Sequence, residues 1–311
     1  MNSSFRAQRF DAASFFFTGL TGAATFLILA ILALILANVL VQGLPYISWT
    51  FLSSPPGRDT LDLKTTGVLP MILGTASKVI LMTIFVLPVG VITAVYLTEY
   101  AKSTSLLTRF VRGAVNNLAG VPSIVFGLFG LGFFVYFLGQ NMDALLNPDS
   151  AKPVWGKPSL TWAALTLAVM TLPVVIVATE EALRAIPQGL REGSLALGAT
   201  KLQTIIKVVV PQALPGILTG GILAVSRAAG EVAPIIMTGA AYSATTSGNL
   251  TEKFMDLGFH VFILSTQSEN VDRARPALYA TVIVLLALTL ALNIVAMIVR
   301  ARMRKAMRLL H

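Results

Sequence analysis

In Ser226-Arg227-Ala228-Ala229-Gly230-Glu231-Val232-Ala233-Pro234, an arginine and a glutamate stand four residues apart inside an otherwise apolar stretch. That spacing places two side chains on one face of a helix, where opposite charges neutralise each other. A charge at mid-bilayer costs roughly 2.5–3.5 kcal/mol on insertion scales, so such residues face a protein interior or a watery path. Arg227 and Glu231 therefore read either as an anion contact on a solute pathway or as a structural ion pair that ties helices together. Ser123 is a second candidate, because Pro122 before it frees a carbonyl and a helix starting there aims N–H groups at an anion. No catalytic set accompanies them. Cysteine is absent and there are two histidines, His260 and His311, so thiolate chemistry is excluded and neither a metal site nor a nucleophile with its base is apparent. No G-x-x-x-x-G-K-[ST] motif occurs, so the chain has no phosphate-cradling loop of its own.

The elements that position these residues are membrane spans. Of the 311 residues, 55% are hydrophobic and 12% charged, against about 25% charged in a soluble domain. A hydrocarbon core of ~30 Å needs ~20 helical residues. Six segments reach that length: Phe15 to Val41, Leu69 to Leu97, Leu118 to Leu138, Leu160 to Thr179, Leu214 to Ala240 and Ala277 to Val299. The first is too long for a cleavable signal and reads as retained. With both termini cytoplasmic, the inner segments hold 14 of the basic residues and the outer loops 7, the bias expected of a membrane protein in that orientation. The same clustering argues against nucleic acid as the partner implied by the net charge of +9. Arg6, Arg9 and the tail from Arg300 to Arg308 belong to the inner set, and Arg58 and Lys64 to the outer. Lys78 is expected to snorkel to the headgroups, and Trp49, Trp155 and Trp162 to form interfacial belts. Gly216 and Gly220 make a G-x-x-x-G packing pair. Outer loops at about 43–68, 140–158 and 241–275 are rich in Gly, Pro, Ser and Asp and are places to receive a partner.

One inner loop, residues 191–217, is too polar to cross a bilayer and too regular for a slack linker. Leu195, Ala199, Leu202 and Ile206 recur at i, i+4, i+7 and i+11, one face of a helix. Gly198 interrupts that run and permits a bend. An amphipathic helix lying on lipid would account for this pattern, as would a docking element.

Glu192-Gly193-Ser194, three residues, Gly198, nine residues, and Val208-Val209-Val210-Pro211 resemble the E-A-A loop of ABC importer permeases, with the spacing matched throughout. Gly193 and Ser194 replace the two alanines. The resemblance implies an all-α, six-helix polytopic protein of the type I ABC importer permease fold. It implies that Glu192, Gly193, Ser194, Leu195, Gly198, Ala199, Leu202 and Pro211 belong to a coupling helix docked on a separate ATPase subunit, with no cofactor bound by this chain itself. GVLPMILGT at 67–75, GVPSIVFGL at 120–128 and RAAGEVAP at 227–234 are similar to the phosphate permeases of the PstA type. That likeness implies import of inorganic phosphate across the cytoplasmic membrane, with Arg227 as anion contact, Glu231 as its partner and Ser123 as a pathway hydroxyl. It also implies a heterodimer with a PstC-like permease, two PstB-like ATPase subunits and a PstS-like phosphate-binding protein. The expected organisation is 1–68 as terminus, first helix and outer loop, 69–299 as permease core with coupling loop 191–211, and 300–311 as a basic tail. Readings that stay open are a permease for molybdate or sulfate, the PstC-type subunit, and a secondary transporter, in which charged pairs and broken helices also occur.

Overall fold

The computed structural model describes residues 12–57, 66–102, 104–150, 152–243, 249–268 and 270–308. Arg6, Arg9, Arg58, Lys64 and His311 lie outside the described residues.

Helices follow directly from the apolar runs, since a chain in hydrocarbon must satisfy its own backbone. α1 (Ala12–Gly43) is followed by a single 3-10 turn and by α2 (Trp49–Ser53), which Ser48 caps through its Oγ. α3 (Leu69–Val95) opens with Pro70 in its first turn and continues as a π-helical turn to Tyr100. An amphipathic α4 (Leu106–Leu118) precedes α5 (Ser123–Phe129), which runs through a π-helical stretch, Gly130–Gly139, into α6 (Gln140–Leu146). After α7 (Leu160–Arg184) come the short α8 (Gln188–Ala196) and α9 (Lys201–Thr204), then a π-helical Ile205–Val209 and α10 (Val210–Gly230). α11 (Ala233–Thr238), α12 (Leu257–Thr266) and α13 (Val271–Arg308) complete the chain.

Six helical stretches among the described residues are long and apolar enough to span: 14–46, 69–100, 123–146, 160–184, 201–230 and 271–305. They coincide with the expected six, with informative differences at the ends. The third begins at Ser123 rather than Leu118, because Leu118 closes α4 and the chain turns through Gly120 to Pro122. The fifth starts earlier and stops at Gly230, so residues 231–240 are not its continuation. The sixth passes Val299 without a break, since the arginines beyond it are good helix formers and no Gly or Pro intervenes.

α7 is the axis of the bundle, with 67% of its apolar stretch buried, whereas none of that of α1 is buried in the chain. Around α7, Val79, Met82 and Val86 of α3, Phe126 of α5, Ala224 and Ala228 of α10 and Ile235 of α11 form one core. Buried threonines stay satisfied by bonding back one turn, as Thr166 Oγ1 does to Trp162 O at 2.7 Å and Thr281 Oγ1 to Ala277 O at 2.7 Å. Trp162 departs from the expected interfacial belt. It is buried, lies parallel to Phe134, and donates from Nε1 to Trp155 O at 2.7 Å. Trp49, on α2, is exposed.

Apolar burial drives little helix association in lipid, so close approach of small residues must do it. Gly216 and Gly220 of α10 meet Ala182 and Ala178 of α7, and a Cβ on Gly220 would stand 2.7 Å from the Ala178 Cβ. Gly220→Val is expected to cost about 1–3 kcal/mol through overpacking, read as a lower thermal midpoint of the detergent-solubilised protein. Gly22→Val, at a position with nothing within 4 Å, should leave that midpoint in place.

Candidate functional site

Two regions collect the candidate residues, one at the α7–α10 turn and one inside the bundle. At the turn, α8 ends where Gly198 adopts φ 84°, a left-handed conformation that a side chain resists. Gly198 N–H donates to Leu195 O at 3.0 Å and Ala199 N–H to Ser194 O at 3.2 Å, the paired bonds of a Schellman stop. α9 then restarts from a capping box: Thr200 Oγ1 accepts from Gln203 N, and Gln203 Oε1 accepts from Thr200 N. The face expected over Leu195, Ala199, Leu202 and Ile206 is consequently not one helix. Leu195 sits on α8 and Leu202 on α9, both exposed, while Ala199 is half-buried in the turn between them.

The other residues of this set have distinct environments. Glu192 and Gly193 are exposed on α8, and Glu192 makes no ion pair among the described residues. Ser194 Oγ lies 2.9 Å from Thr204 Oγ1, which holds α8 to α9. Pro211 falls in the first turn of α10, where a missing N–H is tolerated. Leu197, not singled out by its spacing, is 91% exposed at the tip.

What holds this turn is Arg191, the first residue of the inner loop, to which the sequence reading gave no role of its own. Its Nη1 donates to Ile186 O at 2.6 Å and its Nη2 to Leu183 O at 2.8 Å, covering the orphan carbonyls at the end of α7. Nη2 also reaches Glu99 Oε1 at 2.8 Å, beyond α3. Alongside, Glu180 accepts from Arg184 at 2.7 Å and pairs with Arg112 of α4 at 3.6 Å, while Arg112 Nη2 donates to Leu97 O at 3.0 Å. Lys201 Nζ stands 4.8 Å over the Tyr100 ring. α8 is thus fastened to the ends of α3 and α7 by charge-assisted bonds, the stronger kind.

Inside the bundle, Arg227 Nε and Glu231 Oε1 are 3.7 Å apart, with side-chain exposures of 42% and 22%. The pair exists, but not on one helical face. α10 ends at Gly230 and Glu231 is already extended, at φ −75° and ψ 129°. At 3.7 Å the contact is an ion pair without a hydrogen bond, so the guanidinium keeps N–H groups to offer. Beside it Ser226 Oγ is 2.8 Å from Asn293 Oδ1 of α13. Ser123 is the part-buried first residue of α5, and one turn later Gly127 packs on Pro234 of α11. The fold brings α5 against the segment that follows Glu231, yet no hydrogen bond joins Ser123 to either charge among the described residues.

Beneath this pair is an interaction that the sequence reading missed. Lys78 does not snorkel: it is fully buried and pairs with Asp256, the residue that caps α12. The apolar run 257–264 following Asp256 was a legible helix start, but nothing local marks its partner.

A chain with six candidate spans and an exposed turn between the fourth and fifth is built as a membrane-embedded subunit with a surface left for a partner. The chain belongs to the family of binding-protein-dependent transport system inner membrane components, whose model matches residues 86–308. Among its relatives is a Bacillus subtilis (strain 168) protein described as a probable ABC transporter permease, YqgI, 29% identical over 82% of this chain and 84% of that one. A Methanocaldococcus jannaschii protein described as a probable phosphate transport system permease protein PstA is 32% identical, covering 71% of each. The phosphate transport system permease protein PstA 1 of Mycobacterium tuberculosis (strain H37Rv) is 38% identical over 55% of this chain and 50% of that one, so this chain spans about half the length of that relative. Solved structures share the fold: a bacterial ABC transporter involved in alginate import has a TM-score of 0.65 at 16% identity, over 93% of this chain and 95% of that one. For an inward-facing MetNI methionine ABC transporter the TM-score is 0.54 at 23% identity, over 76% and 94%. The ABC permease reading and the six-helix fold are borne out. This is a multi-pass membrane subunit, a permease and not an enzyme, that works with ATPase and substrate-binding partners.

His260, on α12 between the last two spans, is buried with no hydrogen-bond partner for Nδ1 among the described residues, and its ring lies over Tyr242. Burial pushes its imidazole from 6.5 down to about 4, so the folded protein holds it neutral while an unfolded chain takes up a proton near pH 6.5. Its contribution is therefore complete above pH 6.5 and is lost as pH falls toward 4, by on the order of 3 kcal/mol. Thermal midpoints of the purified protein should decline over that window, and His260→Phe should flatten the decline.

Proposed function

We propose that this chain is the PstA-type permease subunit of an ATP-driven importer of inorganic phosphate, set in the cytoplasmic membrane with both termini in the cytoplasm. The observation that carries the solute class is Arg227, a half-exposed guanidinium beside a helix break in the bundle, loosely paired at 3.7 Å. A guanidinium binds two oxygens of a phosphate at once. Glu231 opposes an anion unless Arg227 shields it, so the pair rearranges with Arg227 between carboxylate and phosphate as the solute passes; Ser123 lends a hydroxyl at the neighbouring helix start. The 32% identity to the Methanocaldococcus jannaschii relative supports phosphate as the solute.

In this reading α8 and the turn to Pro211 dock on an ATPase subunit, with Leu195 and Leu202 seated in its surface, Glu192 paired to a basic group and Gly198 giving the turn its shape. Gly193, Ser194 and Ala199 keep that surface small and folded. The chain itself binds no cofactor; ATP is bound by two PstB-like subunits, a PstC-like permease completes the pathway, and a PstS-like protein delivers phosphate from outside. Closure of the ATPase pair pushes α8, and the Arg191 clamp passes that push to the ends of α3 and α7. The permease then alternates between two states whose populations ATP sets.

Uptake of labelled phosphate into vesicles holding the assembled complex tests this, with sulfate and molybdate as competitors; transport of either in preference to phosphate would reassign the solute. Arg227→Ala should lower phosphate uptake by about 10- to 100-fold, the value of a charge-assisted bond or two, with assembly intact, and unchanged uptake would leave Arg227 a structural residue. Gly198→Val places a branched side chain at a left-handed position, at about 1–3 kcal/mol. It should leave membrane insertion intact while ATP hydrolysis ceases to drive uptake, read as ATPase and transport rates in the same vesicles.

A further inference from the structure

Lys78 Nζ stands 2.6 Å from Asp256 Oδ2, with both side chains at 0% exposure. Asp256 is bonded on both oxygens: Oδ1 accepts from Phe259 N at 3.0 Å, and Oδ2 from Thr75 Oγ1 at 2.9 Å. Thr75 Oγ1 in turn accepts from Leu257 N at 3.0 Å. Lys78 also donates to the backbone carbonyl of Glu231, at 3.4 Å. That carbonyl belongs to the residue capping α10, where the chain has left the helix and carbonyls lack intrahelical partners. A cation is favoured there by the helix dipole as well. On the same spot Gly258 of α12 presses against Val232, whose Cγ2 would lie 2.8 Å from an added Cβ.

Buried ion pairs are not, in general, more stabilising than apolar residues of the same volume. Methionine and leucine would fill this space. What a lysine adds is a donor for the Glu231 carbonyl, and what Asp256 adds is the acceptor that fixes the lysine in place while capping α12.

We propose that Lys78 is a positioning residue for the solute site: held by Asp256, its ammonium sets the backbone of Glu231 and hence the reach of the Glu231 carboxylate to Arg227. This rests on the reading of Arg227 and Glu231 as the anion contact. The pin also ties that contact to α12, so movement of the outer segment around α12 is passed through Asp256 to the site. An event on the outer face, such as docking of the binding protein, then changes how firmly Glu231 occupies Arg227.

The complete complex in vesicles provides the test. Lys78→Met and Asp256→Asn are combined, leaving no buried charge unpaired. The assembled double variant should show an apparent KM for phosphate raised about tenfold, the equivalent of one bond to a charged group, with kcat within about twofold. An assembled variant with an unchanged KM would overturn the proposal, because a merely structural pair leaves KM alone. A second measurement needs no substitution and no solute: amide hydrogen exchange on the unaltered complex, with and without binding protein and ATP. Segments 228–234 and 255–260 should change protection together, and change in one without the other would refute the pin. Failure of the unaltered complex to import phosphate would count against the solute assignment, and the exchange result would still decide the pin.

Discussion

A helix that ends inside a membrane bundle leaves carbonyls without intrahelical partners, and the centre of this protein is organised around meeting that demand just after Gly230. The solution draws on three separate stretches of chain. Lys78 comes from α3, Asp256 from the head of α12, and Glu231 supplies the carbonyl that needs a donor. Because those groups meet at one point, the break is a defined geometry instead of a frayed end, and a charged residue next to it acquires a fixed position. The half-exposed Arg227 and its partner are thereby held at an interruption, the one kind of place in a bilayer where polar backbone and polar side chains coincide.

The same economy governs the other end of the bundle. Arg191 meets the terminal carbonyls of α7 and the carboxylate of Glu99 with one guanidinium. Satisfying helix ends and building a mechanical joint are here a single act. In the proposed coupling a displacement of α8 is passed by Arg191 to α3 and α7, and α7 is the most enclosed of the six spans. α3 contributes to both places, with Glu99 just beyond it at the turn and Lys78 at the break, which makes it the element shared by the proposed motor contact and the proposed solute contact.

The spans were legible because bilayer thickness leaves few alternatives for a run of some twenty apolar residues. Breaks were legible only where a residue announces them. Pro122 marks the start of α5 and Gly198 the end of α8, each through a backbone restriction visible in one letter. Gly230 is a weaker sign, since without the left-handed φ of Gly198 it reads as one more small packing residue of the span, and the Lys78 donor that meets the Glu231 carbonyl lies far off in sequence. For the same reason Arg227 and Glu231 were foreseen as a pair but not with an extended backbone between helix and carboxylate. Trp162 was misread because an aromatic near a span end suits a headgroup belt and a core equally well, and only the neighbouring Phe134 decides between them. Lys78 was misread because its counter-charge lies in a distant loop, where no periodicity connects the two. Leu197 escaped attention because its helical phase falls off the apolar stripe; the Schellman turn, and not the helix, directs it outward.

Leu197 has a meaning before any transport begins. A leucine almost wholly bare at the tip of a turn, flanked by Leu195 and Leu202, makes an unaccompanied copy of this subunit sticky. Exposed apolar surface of this kind marks an interaction site or an aggregation liability. The turn therefore leaves an unaccompanied subunit with bare apolar surface at its polar edge, a penalty that a docked partner removes.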